Sequence, residues 1–259
     1  MKMIKKIFIS IAVSLMILFG LYNLEFFISK NNTASYMKNE NISSLNGEDK
    51  FNQVTTVIDD LGLKKENKDY VGWLNIEGSN INTPVMKSDF YFRKNIKKRY
   101  SLAGTPFIPK YNPQKNIKTV FGHNLGYGRK DAFHDITEYS KKEFYDTHQT
   151  VYFTENNLKG NKYKVVAYLN YSTKNSFNYL NTTFRNVEEF DDWKENIKKY
   201  SKYSDKNFEN ILYDKGKILI LSTCHSTTWT DDGIRSVLIC YCPERLSNIN
   251  VDYYNISDL

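Results

Sequence analysis

The chain has 259 residues, 41% hydrophobic and 25% charged, values that suit a globular unit with a real core and exclude collagen-like, fully disordered and multi-span membrane classes. Its net charge of +7, from 36 Lys and Arg against 29 Asp and Glu, is spread along the chain and partly placed in the first six residues. No nucleic acid is expected as a partner; an anionic membrane or cell-wall surface suits so mild an excess.

The amino end carries the first strong signal. Lys2, Lys5 and Lys6 precede an uncharged run from Ile7 to Leu24, whose length of roughly 27 Å at about 1.5 Å per residue is enough for a hydrocarbon core. Glu25, Phe26 and Phe27 follow where a cleaved signal peptide would show small residues, and Thr33-Ala34-Ser35 is a late and poor cleavage site. The reading is an uncleaved signal anchor over residues 1–28, N-terminus cytoplasmic and the remainder extracytoplasmic. The alternative is a cleaved secretory peptide, which leaves the rest extracytoplasmic as well. Residues 29–46, rich in Asn and Ser, have little to bury and read as a stalk. Phe51, Val54, Ile58 and Leu61 then fall on one face of a short helix that should end near Gly62. Residues 29–69 are thus expected to be stalk and helix, with 70–259 as the folded domain.

From Tyr70 the pattern changes to short β-branched and aromatic runs, at 71–76, 81–86, 105–108, 117–121, 150–153, 163–171, 218–222 and 234–241. Gly, Pro, Asn and Asp punctuate most of them. Eight strands without long intervening helices predict a mainly β chain closed into an eight-stranded barrel rather than βαβ winding. Two helical inserts interrupt it, a short one around Asp131–Tyr139 and a longer one over Val187–Tyr200, where Phe190, Trp193, Ile197 and Tyr200 form a packing stripe.

Three cysteines are too few for a disulfide scaffold, and their odd number leaves at least one thiol free or paired outside the chain. Cys224 ends the apolar run Ile218-Leu219-Ile220-Leu221-Ser222-Thr223, where a nucleophile can be both held and reached. A free Cys is usually a small buried residue, but an accessible thiol outside the cell is a liability without a use. Such a nucleophile needs a proton-transfer partner and a group to meet developing negative charge. His123, in Phe121-Gly122-His123-Asn124 at another strand end, is the best of four histidines, and Gly122 permits close backbone approach. His134 and His148 read as surface residues. His225 should face away from Cys224 if the strand continues. Arg235 opens the next strand. Antiparallel pairing of the two would bring it beside Cys224 as an oxyanion or carbonyl ligand, while the competing reading pairs it with Asp231 or Asp232 on the surface. Spacing leaves these two readings even. Cys240 and Cys242 share one face of the last strand and read as core; a bridge between them or a metal site is the alternative, though a fourth zinc ligand is lacking.

Leu221-Ser222-Thr223-Cys224 followed by Arg235, with Phe121-Gly122-His123-Asn124 upstream, resembles the sortases, cysteine transpeptidases of the Gram-positive surface. Gly72-Trp73-Leu74, Ile81-Asn82-Thr83-Pro84-Val85, Gly104-Thr105-Pro106-Phe107-Ile108 and Phe177-Asn178-Tyr179-Leu180 extend the resemblance through most of 70–242. The amino-terminal helix and the insert before the Cys strand are most similar to class B, whose members often anchor haem-uptake or other surface proteins. The chain departs from the usual pattern at His225, at Asn178 where Asp is common, and at Thr83 where an aromatic often precedes Pro.

The resemblance implies Cys224 as nucleophile, His123 as general acid and base, and Arg235 as orienting and oxyanion residue. Asn124, Ser222 and Thr223 become candidates for holding the peptide. It implies no metal or organic cofactor. The partners implied are a secreted surface protein with a carboxy-terminal sorting motif, cleaved after Thr through a thioacyl enzyme, and an amino group of a lipid-linked peptidoglycan precursor or wall peptide, met at the membrane. A thiol hydrolase of wall peptides and a non-enzymatic tethered binding module are the other two readings.

Overall fold

Strand edges in this chain are set by which faces are covered. The structure, a computed structural model, describes residues 2–35, 60–110, 116–126, 132–155, 159–211, 215–225 and 232–243. The strands are β1 (Tyr70–Ile76), β2 (Asn82–Lys87), β3 (Phe107–Ile108), β4 (Ile117–Phe121), β5 (Thr150–Glu155), β6 (Lys159–Ser172), β7 (Ser201–Ser204), β8 (Gly216–Cys224) and β9 (Ile234–Pro243). They form one sheet in the order β5-β1-β2-β3-β4-β8-β9-β6-β7, and a further pairing of β5 with β6 closes the first eight into a barrel. The ring consists of the eight strands expected from the sequence. β7 lies outside it, paired with β6 through Leu169 and Ser201.

The long apolar run of β8 follows from this topology, because both of its faces are buried. Leu219 and Leu221 point into the barrel with Leu238, Cys240 and Cys242 of β9 and Val165 and Tyr168 of β6. Ile218 and Ile220 point outward with Val237 and Ile239. The cover on that side is α5 (Val187–Tyr200), whose buried stripe is Phe190, Trp193 and Ile197. Asn186 caps α5 by accepting from the Glu189 N–H at 3.0 Å, while Glu188 and Glu189 open the helix and Lys198 and Lys199 close it, each charge matching the helix dipole.

A second outer cluster sits on the other flank. Leu63 of α2 (Asp60–Glu66), Tyr70, Trp73, Met86, Tyr91, Ile96 and Phe107 pack together, with Phe121 against them. The short insert expected around 131–139 becomes two small helices, α3 (His134–Glu138) and α4 (Lys142–Thr147). Phe133, Ile136, Tyr139 and Tyr145 from this region are buried at the barrel core.

The amino-terminal expectations need correction. Helix α1 runs unbroken from Lys2 to Ser35, so residues 29–35 are helical rather than stalk; backbone hydrogen bonds carry a helix forward without burial. Its apolar side chains from Ile7 to Leu21, and Leu24, are exposed. Among the described residues no helix is long and apolar enough to cross a membrane. The helix read over Phe51–Leu61 lies mostly outside the described residues. Residues 60 and 61 of it lie in α2, which passes through Gly62 and ends at Glu66, with Leu63 buried in the flank cluster.

Candidate active site

β4, β8 and β9 are consecutive in the barrel, and three site residues lie at one end of them. β4 and β8 run parallel with Phe121 opposite Ser222. Two further links continue that register: Gly122 N–H donates to Ser222 O at 3.2 Å, and Thr223 Oγ1 donates to Gly122 O at 2.8 Å. β4 ends at Phe121, so His123, two residues past Phe121, and Cys224, two residues past Ser222, lie at the same end of neighbouring strands. On the other side β8 and β9 are antiparallel, with Cys224 paired directly to Arg235. The adjacency expected if these strands paired is the one found.

Alternation decides the faces. Ile218 and Ile220 on β8, and Val237 and Ile239 on β9, belong to the outer cluster, so Cys224 and Arg235, an even number of residues away, share that outer face. His123 lies two residues past β4, and the Phe92 ring that packs on it also meets Phe107 of the outer flank cluster. Both Cys224 and Arg235 are half-buried. Asp232, one of the rival partners for Arg235, accepts from the Ile234 N–H at 2.9 Å; Asp231 lies outside the described residues.

Phe92, from the segment between β2 and β3, lies on the His123 ring with centroids 4.0 Å apart. Gly104 holds that segment close: its φ is +63°, and a Cβ there would sit 2.2 Å from the Phe92 carbonyl oxygen, a contact open only to glycine. Burial, reinforced by the Arg93 cation, lowers the His123 pKa to about 4, opposed by a hydrogen bond to the Phe92 backbone. Nε2 of His123 is buried and makes no hydrogen bond among the described residues, so the bond to Phe92 uses Nδ1. Gly122 is required by packing, since a Cβ would meet the Phe133 ring at 2.5 Å.

The three residues expected to hold a peptide are engaged within the fold. Ser222 and Thr223 are buried. Ser222 Oγ lies 2.8 Å from the Tyr179 hydroxyl, and Thr223 bonds Gly122 as above. Asn124, 8% exposed, donates through Nδ2 to the carbonyls of Cys224 (3.1 Å) and His225 (3.3 Å). These side chains support the strand ends instead of standing open to a ligand.

His225 faces the barrel interior, opposite Cys224. Its Nδ1 is 2.7 Å from Ser236 Oγ, which is 3.0 Å from the Tyr168 hydroxyl. Cys240 and Cys242 are free and fully buried in the interior cluster, which is the core reading. Among the described residues no group of His, Cys, Asp and Glu could hold a metal.

Two neighbours escaped the sequence reading. Tyr179 is buried, its pKa raised by that burial, with Arg235 and Cys224 both within electrostatic reach of its phenol. Its Phe-Asn-Tyr-Leu context was the available signal. His134, read as a surface residue, has Nδ1 3.1 Å from Asn124 Oδ1, a contact ten residues apart that no spacing rule announces.

Comparison with known proteins gives a consistent answer. No family model matches the chain. Sortase B of Listeria monocytogenes is 32% identical over 199 residues, 74% of either chain. Sortase B of Staphylococcus aureus is 28% identical over 168 residues, 62% of this chain and 66% of that one. Among solved structures, sortase B from Listeria monocytogenes superposes with a TM-score of 0.58 at 28% identity, covering 70% of this chain and 98% of that one. A Staphylococcus aureus sortase B–substrate complex shares the fold with a TM-score of 0.61 at 21% identity, covering 86% and 93%. Sequence likeness across three quarters of a curated relative and the closed eight-stranded barrel agree, and the chain belongs to the class B sortases, a group of cysteine transpeptidases.

Proposed function

We propose that this chain is a membrane-tethered sortase that cleaves the carboxy-terminal sorting motif of a secreted protein after Thr and transfers the acyl group to a cell-wall amine. The observation that supports the reading is the direct pairing of Cys224 with Arg235 on one outer face, with His123 just past the end of the neighbouring strand β4. The substrate complex of the staphylococcal relative supports a peptide as the first partner.

The His123 ring, neutral at pH 7 because it is buried, takes the proton of the Cys224 thiol as sulfur attacks the carbonyl carbon after Thr. The C–S bond forms, and the carbonyl π electrons move to oxygen. Arg235 meets that oxyanion with charge-assisted hydrogen bonds from a guanidinium that stays protonated. Collapse breaks the C–N bond, and the imidazolium of His123 returns its proton to the departing amine. The thioester then reacts with the wall amine, whose surplus proton passes to His123 and on to the Cys224 thiolate. Residues Lys2 to Leu24 support the tether: a lysine cluster followed by eighteen uncharged residues, the pattern of a cytoplasmic tip and anchor with the catalytic domain outside the membrane.

Incubating the full chain in detergent with Thr-containing sorting peptides and candidate amines, followed by mass spectrometry, tests the reading. Expected are a Cys224 thioacyl adduct and an amine-linked product, both lost in Cys224→Ala. Cleavage that survives this substitution removes Cys224 as nucleophile, and a product formed only with water makes the protein a hydrolase. Protease added to intact protoplasts should degrade the domain; protection until lysis overturns the topology.

A further inference from the structure

β4 leaves the barrel just where the site begins. Its pairing with β8 ends at Phe121 and Ser222, and His123 O turns to accept from the Phe133 N–H at 2.8 Å. On its other side β8 stays paired beyond Cys224, since the His225 N–H donates to Ile234 O at 3.0 Å. The Cys224 carbonyl, like that of Ser222, therefore faces the flank from which β4 has departed, and the His225 carbonyl, one residue past the end of β8, turns to the same amide. Two backbone acceptors at the nucleophile need donors that the sheet no longer supplies.

One amide side chain replaces the missing strand. Asn124 Nδ2 carries two hydrogens and has two acceptors, Cys224 O at 3.1 Å and His225 O at 3.3 Å. Oδ1 has two lone pairs and two donors: the Gly126 N–H at 3.3 Å and His134 Nδ1 at 3.1 Å. All four hydrogen-bonding positions of the amide are occupied. The partners also set its orientation, because a flipped amide would aim NH₂ at the Gly126 N–H and oxygen at two carbonyls. An amide oxygen cannot donate, so His134 bears its proton on Nδ1. That leaves Nε2 3.8 Å from Glu138 Oε1, within the same short helix.

We infer that Asn124 and His134 act as a positioning pair for the nucleophile: His134 orients the Asn124 amide, which completes the β8 ladder at the Cys224 and His225 carbonyls and so fixes where the Cys224 sulfur stands. The inference rests on the proposal that Cys224 is the nucleophile. It reassigns Asn124 from peptide binding, for which its saturated amide has no capacity left, to holding the thiol against His123 and Arg235. A misplaced nucleophile slows the bond-forming step and leaves ground-state peptide binding intact.

The test uses the full chain and the variants Asn124→Ala, Asn124→Asp, His134→Ala and His134→Gln, reading kcat and KM for peptide cleavage, melting temperature, and the rate of Cys224 alkylation by iodoacetamide. Expected are a roughly tenfold or greater fall in kcat for both Asn124 variants with KM within about twofold, a smaller fall for His134→Ala, and recovery in His134→Gln, whose amide N–H can still donate to Asn124 Oδ1. Alkylation rates should fall or rise away from wild type in the same order. A raised KM at constant kcat would mean that Asn124 binds peptide, and a lowered melting temperature with kcat and alkylation unchanged would make the pair merely structural; either overturns the inference. His134 is partly exposed, so its variants remain informative if an Asn124 variant fails to fold. Alkylation needs no peptide: wild type inert toward every peptide would refute the transpeptidase reading, while the alkylation series would still decide the positioning role.

Discussion

The inside of the barrel and its outer face at the ends of β4, β8 and β9 treat the same side chain in opposite ways. Cys240 and Cys242 point inward among Leu, Val and Tyr, and burial pushes both thiols up, Cys242 to about 12. Cys224 stands on the outer face, half-buried and directly paired with Arg235. A strand turns one residue into the core and its immediate neighbour to the opposite face by alternation alone. The lesson is that strand parity and position relative to the strand end, more than residue type, assign a cysteine its role here.

The sharpest way to break that contrast is to label thiols in the native protein. Cys224 should react with iodoacetamide about a hundredfold or more faster than Cys240 or Cys242, which must await opening of the barrel. Peptide mapping of the modified chain checks this; comparable labelling of Cys240 would mean that the interior is open.

Within the outer face, Arg235→Lys keeps the charge and loses the planar fork. Cleavage should fall about a hundredfold, near 3 kcal/mol, the usual cost of an oxyanion donor, with an unchanged circular dichroism spectrum. A surface ion pair would be worth about 0–1 kcal/mol, so near-normal rates for Arg235→Lys would withdraw it from the site.

His123 carries the burial of the interior into the outer face, and acid should expose it. Its pKa is about 4 in the fold and about 6.5 unfolded. Between those values the unfolded chain binds more protons, so the stabilisation is complete above pH 6.5 and lost as pH falls toward 4. Urea unfolding at pH 7 and pH 4.5 should show roughly 2–3 kcal/mol less acid loss for His123→Ala than for wild type. Parallel losses in the two proteins would place the ring in solvent.

The smallest effect concerns the joint between the regions. Gly122→Ala would press a methyl into the Phe133 ring, and overpacking of this kind costs about 1–3 kcal/mol. The melting temperature should drop, and cleavage should fall further than stability explains because His123 is the next residue. An unaltered melting temperature would show that Phe133 yields freely.

Much of this was legible in the residues themselves. Period-two runs with Gly and Pro between them marked every strand of the ring, because each strand has at least one buried face. The 3-4-3 stripe of Phe190, Trp193, Ile197 and Tyr200 marked α5, because one face of it covers β8. Cys224, His123 and Arg235 stood out as reactive residue types at strand ends. β7 and α4 did not: Ser201-Lys202-Tyr203-Ser204 pairs only through β6 and buries little, and a six-residue polar helix has too few turns to show a period.

What the chain alone determined is therefore the set of strands, the faces they bury, and the residue types that could react. The tertiary structure decided partnership: Cys224 opposite Arg235 in register, Phe92 over the His123 imidazole, Tyr179 beneath Ser222, and Asn124 with His134 behind the Cys224 backbone. Periodicity records whether a side chain meets solvent or core, a property of one element. A hydrogen bond between residues a hundred positions apart depends on how strands are ordered and where one leaves the sheet, and no local pattern encodes that.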